Sequence, residues 1–238
     1  MQRVATARQI EHAIRKRRSK EHADVMQRFF KTGPGEYGEG DVFVGVNVPE
    51  IRKLAKQHRD TELDQLEDLL DSPIHEVRLC ALFIMNLRYA RGDKKQQGAL
   101  YRLYGRKRRR INNWDLVDAS AHRIVGPYLE TRSRRPLYEW ARSKHLWTRR
   151  IAIMSTLHFI KQSDFEDTLA ISELLLHDEH DLIHKAVGWM LREVGNRDGA
   201  VEEEYLRANY QEMPRTMLRY AIERFPESKR KAYLEGRV

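Results

Sequence analysis

Two carboxylates and an indole share one helical turn at Trp114-Asp115-Leu116-Val117-Asp118. With three residues between, this segment follows the most basic run of the chain, Arg106-Lys107-Arg108-Arg109-Arg110. A carboxylate can stabilise a developing positive charge or orient a water, and an indole face attracts cations. Set against a patch that draws polyanions, the group points to a site where something cationic is handled on nucleic acid. Helical spacing places Trp114 and Asp118 one turn apart on a shared face, and Lys185 and Trp189 likewise.

Elements that could position such residues must be helices. Nearly every segment has helical periodicity, and the punctuation is helical: Asn47 with Glu50 reads as a capping box with Pro49 in the first turn, Ser72-Pro73 as a second start, and Pro127, Pro214 and Pro226 as boundaries. No convincing strand is present. With Arg78 as a reference, comparable positions recur at Asp115, Arg150, Lys185 and Arg219, at spacings of 37, 35, 35 and 34 residues. Two helices per unit at this period predict an all-α fold, an α-solenoid of HEAT-like repeats in which each pair buries its apolar face on the next. The 238 residues are expected to form a single domain of this kind, with residues 1–20 as a basic helix or arm and residues 32–47 as a Gly-rich loop. Equivalent positions align as a stripe across one face, so a basic concave surface with Asp115 at its centre is expected, with Asp115 structural and paired to Arg149 or Arg150 of the next repeat.

Charge narrows the partners. With 44 Lys and Arg against 35 Asp and Glu the net charge is +9, which favours nucleic acid, anionic membrane or acidic protein. The longest apolar run, Leu79 to Met85, is far too short to span a bilayer. Cys80, the single cysteine, lies in that run and reads as a small buried hydrophobe. Met1 to Lys20 is charged throughout without an apolar core, so a cytoplasmic location is expected, nucleoid-associated in a bacterium.

Several sharper-looking motifs yield to plainer readings. Gly33 to Gly38 has the letters of a dinucleotide fingerprint, but no strand precedes it and Glu36, Glu39 and Asp41 would repel a pyrophosphate. His177, His180 and His184 have metal-ligand spacing among acidic residues, yet a polar loop entering a helix gives the same letters, and neither a metal nor another cofactor is expected. Trp140 and Trp147 sit among apolar neighbours and read as core.

Asn113-Trp114-Asp115-Leu116-Val117-Asp118, Leu146-Trp147-Thr148-Arg149-Arg150-Ile151-Ala152 and Lys185-Ala186-Val187-Gly188-Trp189-Met190-Leu191-Arg192-Glu193, in this order and spacing, resemble the AlkD-type alkylpurine DNA glycosylases from Phe29 onward. The resemblance implies a HEAT-like solenoid that holds duplex DNA and releases purines alkylated at N3 or N7 without flipping the base into a pocket. Matched by motif, Asp118 is the catalytic carboxylate. Trp114 and Trp189 contact the lesioned nucleotide's backbone and sugar. The family's further aromatic, usually Tyr, falls at Phe29, which lacks the hydroxyl. Arg150 meets the DNA backbone, and Arg149, Lys185, Arg192 and Arg78 are expected beside it. The Gly33 to Gly40 insertion departs from the shorter connection of the family. Duplex DNA with alkylated purines is the expected partner, and no obligate protein partner is inferred.

The chemistry stands beside that likeness. An N3- or N7-alkylated purine is cationic and leaves as a neutral base, so no general acid is required and one carboxylate near the sugar suffices. The absence of a lysine placed for a Schiff base favours a monofunctional hydrolase. Two other classes of function are a catalytically silent binder of distorted or branched DNA and a protein-interaction scaffold. The first would bind duplex and release no base; the second would bind duplex weakly and be indifferent to Asp118.

Overall fold

Polar side chains open the helices of the first half of the chain. In the computed structural model, which describes residues 5–238, Thr6 and Gln9 close a capping box at α1 (Ala7–Arg15), and Ser19 caps α2 (Lys20–Phe29). Asn47 accepts from Glu50 N at the start of α3 (Val48–Gln57), while the Glu50 carboxylate meets Arg17 at 3.4 Å rather than turning back to complete a box. There follow α4 (Leu63–Leu70), α5 (His75–Arg91), α6 (Lys94–Lys107), the five-residue α7 (Trp114–Asp118) and α8 (Ala121–Leu129). Part of the basic arm expected at residues 1–20 is thus helix; Met1 to Val4 lie outside the described residues.

The second half contains α9 (Arg135–Ala141), α10 (Leu146–Ser155), α11 (Leu157–Ile160), α12 (Glu166–Leu174), α13 (Asp181–Gly195), α14 (Gly199–Asn209), α15 (Arg215–Ala221) and α16 (Glu227–Leu234). Cα packing separates two compact units, one ending at Tyr128 and the other beginning at Leu129, where the sequence reading treats the chain as one continuous array. The only extended pairing among the described residues is one bridge between Val42 and Ile74. The fold is all-helical and repeat-like: α3 packs on α5 and α5 on α7 in the first unit, α10 on α13 and α13 on α15 in the second. Arg78 is the fourth residue of its helix and Arg150, Lys185 and Arg219 each the fifth, so the repeat register holds at all four; Asp115, second in α7, is the exception.

Two expected boundaries move. Helix α5 starts at His75, since the Ser72 hydroxyl accepts from Ile74 N at 3.2 Å and holds the chain extended for two further residues. Pro127 lies inside α8 rather than at its edge, near the C-terminal end. Proline there costs a backbone hydrogen bond without ending the helix.

Helix α5 centres the first unit. From His75 to Met85 every residue is buried, including the charged or chargeable His75, Glu76 and Arg78. Burial of charge demands partners, and each has them. Glu76 receives the backbone N–H groups of Val44, Gly45 and Val46 at 3.0, 2.7 and 3.2 Å. The end of the Gly-rich segment is therefore a cradle seated on α5. Gly45 is required there, with φ +82° and a hypothetical Cβ running into the Ser19 carbonyl. Upstream, the Glu36 and Glu39 carboxylates accept from Gly33 N and Gly35 N at 2.8 and 3.0 Å, so the loop's own acids occupy the donors that a pyrophosphate would use. Cys80 is fully covered, and burial pushes its thiol up to about 12.

Candidate active site

Five residues cannot sustain a helix in water, so α7 depends on what grips it. Asn113 does so at one end: its Oδ1 accepts from Trp114 N at 2.9 Å and its Nδ2 donates to Asp41 at 3.2 Å. His75 does so from below. Its Nε2 lies 2.8 Å from Asp115 and its Nδ1 3.0 Å from Asp41, with the ring fully buried. Arg78 pairs with the same Asp41 and donates to the Ser72 carbonyl at 2.9 Å. Both imidazole nitrogens face carboxylates, which requires both to carry hydrogen. Burial alone would push His75 down, but the charges and hydrogen bonds of Asp115 and Asp41 prevail and raise it to about 9. Burial likewise opposes ionisation of Asp41, and His75, Arg78 and Asn113 overcome it and hold its pKa below the ordinary carboxylate value. Two cations thus balance two carboxylates inside the unit.

An aromatic stack continues the cluster outward. His75 stacks on Phe43 with centroids 4.4 Å apart, Phe43 on Phe30 at 4.9 Å, and Phe30 on Trp114 at 5.2 Å. Phe29 meets the Trp114 ring edge-on at 6.1 Å and is 64 % exposed. The structure therefore joins Phe29 to Trp114 near the surface, and an imidazolium, beyond the two buried rings of Phe30 and Phe43, anchors the stack.

The two carboxylates of α7 part company here. Asp115 turns inward to His75, not to Arg149 or Arg150 as its place in the repeat suggests. Asp118, one turn on from Trp114, is half-buried beside the junction with α8. The Ser120 hydroxyl, which follows it, donates to Leu116 O at 2.6 Å and lies 3.0 Å from the Tyr104 phenol. Tyr104 is raised above its ordinary pKa chiefly by burial and also by the Asp118 charge.

In the second unit Trp189 is half-buried on α13, its Nε1 donating to Glu193 at 3.0 Å. Gly188 beside it lets α13 lie close on α15, since a Cβ there would collide with the Met217 carbonyl. Lys185 pairs with Asp181 at 2.7 Å and Arg192 with Glu223. Arg149 makes a fork to Asp178, at 2.6 and 3.2 Å. The histidines near them serve separate ends: His180 caps α13, His184 bonds the Asp178 carbonyl and His177 meets Glu212 at 3.4 Å. Trp147 is core, and Trp140 only half-buried.

The expected basic stripe needs correction. Arg78 and Arg150 are 1 % and 4 % exposed. Arg78 serves Asp41, and Arg150 donates to the Leu182 carbonyl, joining α10 to the first turn of α13. Arg78 is thus removed from the phosphate-facing set. The run Arg106–Arg110 is also largely engaged: Arg106 with Glu67, Lys107 with Asp71, and Arg110 with the Asp71 and Ser72 carbonyls beyond the end of α4. Guanidinium groups at a helix C-terminus satisfy its orphan acceptors and its dipole. Arg109 remains exposed. Neither His75 nor Asp41 stood out in the sequence; their separations of 34 and 40 residues from Asp41 to His75 to Asp115 lie near the repeat period, the one signal that could have linked them.

Known proteins agree with this architecture. No curated protein matches the chain. A solved structure described as a predicted DNA alkylation repair enzyme from Enterococcus faecalis superposes with a TM-score of 0.68 at 18 % identity, over 89 % of this chain and 98 % of that one, a likeness of fold. The family model for DNA alkylation repair enzymes matches residues 10–225. With that match over most of its length, the chain belongs to the DNA alkylation repair enzyme family.

Proposed function

We propose that this repair protein is a monofunctional DNA glycosylase that hydrolyses the N-glycosidic bond of cationic N3- or N7-alkylated purines in duplex DNA. The observation that carries the reading is the division of labour in α7: Asp115 is committed to the buried His75, while Asp118, half-buried, lies one turn on from Trp114. A base that already carries positive charge departs as a neutral molecule. The remaining barrier is the positive charge that develops on the sugar. A carboxylate about 4 Å away in an effective dielectric near 20 contributes roughly 4 kcal/mol, about a thousandfold in rate. Asp118 supplies that charge and orients the attacking water. Trp114 and Phe29 present aromatic surface to the nucleotide, and the family likeness assigns Trp189 a contact of its own with the nucleotide's backbone or sugar, each indole adding about 1 to 2 kcal/mol of attraction where water is excluded.

Duplex affinity comes from Arg219 and the half-exposed Lys185 among the repeat positions, with Arg149 and Arg192 contributing through the edges that their carboxylate partners leave; Arg150, buried on the Leu182 carbonyl, is left out of this set. The test is a release assay on duplexes each carrying one defined lesion. Release of 7-methylguanine and 3-methyladenine is expected, with uracil, hypoxanthine and neutral oxidised purines left in place. Efficient release of a neutral base would require a general acid and would overturn the mechanism.

A further inference from the structure

Three surface cavities of the first unit differ in how their charges are answered. One is lined by Arg88 and Arg91 together with Asp60 and Glu62, and these pair with one another. A second holds Arg15 against Glu11 at 2.8 Å. The third, about 200 Å³, lies between α3, α5 and α8 and is lined by Arg52, Lys56 and Arg123 around Phe83, Asn86 and Leu87, without a carboxylate. Among the described residues no acidic group pairs with any of these three cations.

The cations are placed rather than scattered. Arg52 lies over the Phe83 ring at 4.0 Å, which commits one face of the guanidinium to the wall and leaves its N–H edge for a ligand. Burial, and then the charge of nearby Arg123, push Arg52 below its ordinary pKa, so the two guanidinium groups feel each other across the cleft. Asn86 Nδ2 donates to the Ala119 carbonyl at 2.9 Å, which ties this wall to the residue immediately after Asp118. Like charges held together with no carboxylate in the lining are relieved by an anion. A tetrahedral oxyanion matches the guanidinium fork best.

We propose that this cleft is a phosphate-binding site, and that in the DNA-bound protein it holds one backbone phosphodiester of the duplex. The choice of phosphodiester over free phosphate rests on the DNA-repair reading above; the phosphate chemistry rests on the cleft alone.

Binding of the full chain to an undamaged duplex is measured across a salt series for wild type, for Arg52→Gln/Arg123→Gln, and for Arg52→Lys/Arg123→Lys, with folding checked by circular dichroism. The Gln variant is expected to lose about one unit of the log–log salt slope and roughly tenfold in affinity, while the Lys variant keeps the slope. An unchanged slope in a folded Gln variant overturns the backbone assignment. In parallel, inorganic phosphate is titrated while the Nε–Hε signals of Arg52 and Arg123 are followed. Saturable shifts with an unchanged DNA slope make the cleft a small-anion site, and no response in either arm removes the proposal. Base release is read separately. A protein that loses slope as expected yet releases no base sinks the glycosylase reading and leaves this one standing, whereas a wild type that fails to bind duplex sinks both DNA assignments and leaves the phosphate titration to decide the site.

Discussion

Helices α7 and α13 each carry a candidate indole, and they are held in opposite ways. Helix α13 runs for fifteen residues and is located by an apolar face of Ile183, Ala186, Val187, Met190, Leu191 and Val194. Its polar groups pair at the surface, where such pairs contribute little. Helix α7 has five residues, of which only Leu116 and Val117 are buried. What locates it is chiefly polar, Asp115 on His75 and Asn113 on Asp41, with Trp114 stacked on the Phe30 ring beside them. A buried ionic cluster is a poor way to gain stability over an apolar core. It does fix direction, and in α7 it turns Asp115 to the buried His75, while Asp118 lies half-buried one turn on from Trp114.

The sharpest way to break that contrast is at His75. Because loss of the imidazolium leaves the half-buried Asp115 without its cation and the buried Asp41 with Arg78 alone, His75→Gln should destabilise the protein by about 3 kcal/mol, seen as a lower denaturant midpoint. The same residue sets a pH signature. Its pKa rises on folding from 6.5 to about 9, so its contribution is fully present below 6.5 and fades as pH climbs through 9. Asp41, held below its ordinary 3.8, contributes above that value and is lost on further acidification. Wild-type stability should therefore decline towards alkaline pH, and His75→Gln should flatten that limb. An equal decline in both would show that His75 is not the titrating group.

A smaller effect is expected at Trp189. If the indole attracts charge that grows in the transition state, Trp189→Ala should slow release about tenfold while duplex binding changes less. A loss confined to binding would make Trp189 a docking contact only. The smallest effect belongs to Lys185, whose partner Asp181 is an exposed neighbour on its own helix. Lys185→Gln should change stability by no more than about 0.5 kcal/mol. A larger loss would mean that α13 is braced as α7 is.

Much of this arrangement is legible in sequence because it repeats. The 34- to 37-residue period put Arg78, Arg150, Lys185 and Arg219 at matching places in their helices, and the Trp114-to-Asp118 spacing defined a face. What the letters hid was direction. An arginine reads as surface until a buried acceptor is seen, and Arg78 and Arg150 point at an internal carboxylate and a helix-start carbonyl. Asp115 was legible as structural, but its partner was not, because His75 lies two helices earlier and is brought to it only by packing of α5 on α7. Proline 127 misled for a local reason: one lost hydrogen bond late in a short helix is tolerable.

The division between Asp118 and Asp115 is tested most directly by single-turnover release of 7-methylguanine from one defined duplex, with wild type, Asp118→Asn and Asp115→Asn compared at equal bound fraction and with the stability of each measured. Asp118→Asn is expected to slow release by two or more orders of magnitude with stability and duplex binding nearly unchanged. Asp115→Asn should chiefly lower stability, since it leaves the His75 imidazolium one carboxylate short. Release by Asp118→Asn at the wild-type rate, or a stable Asp115→Asn that has lost its chemistry, would contradict this assignment.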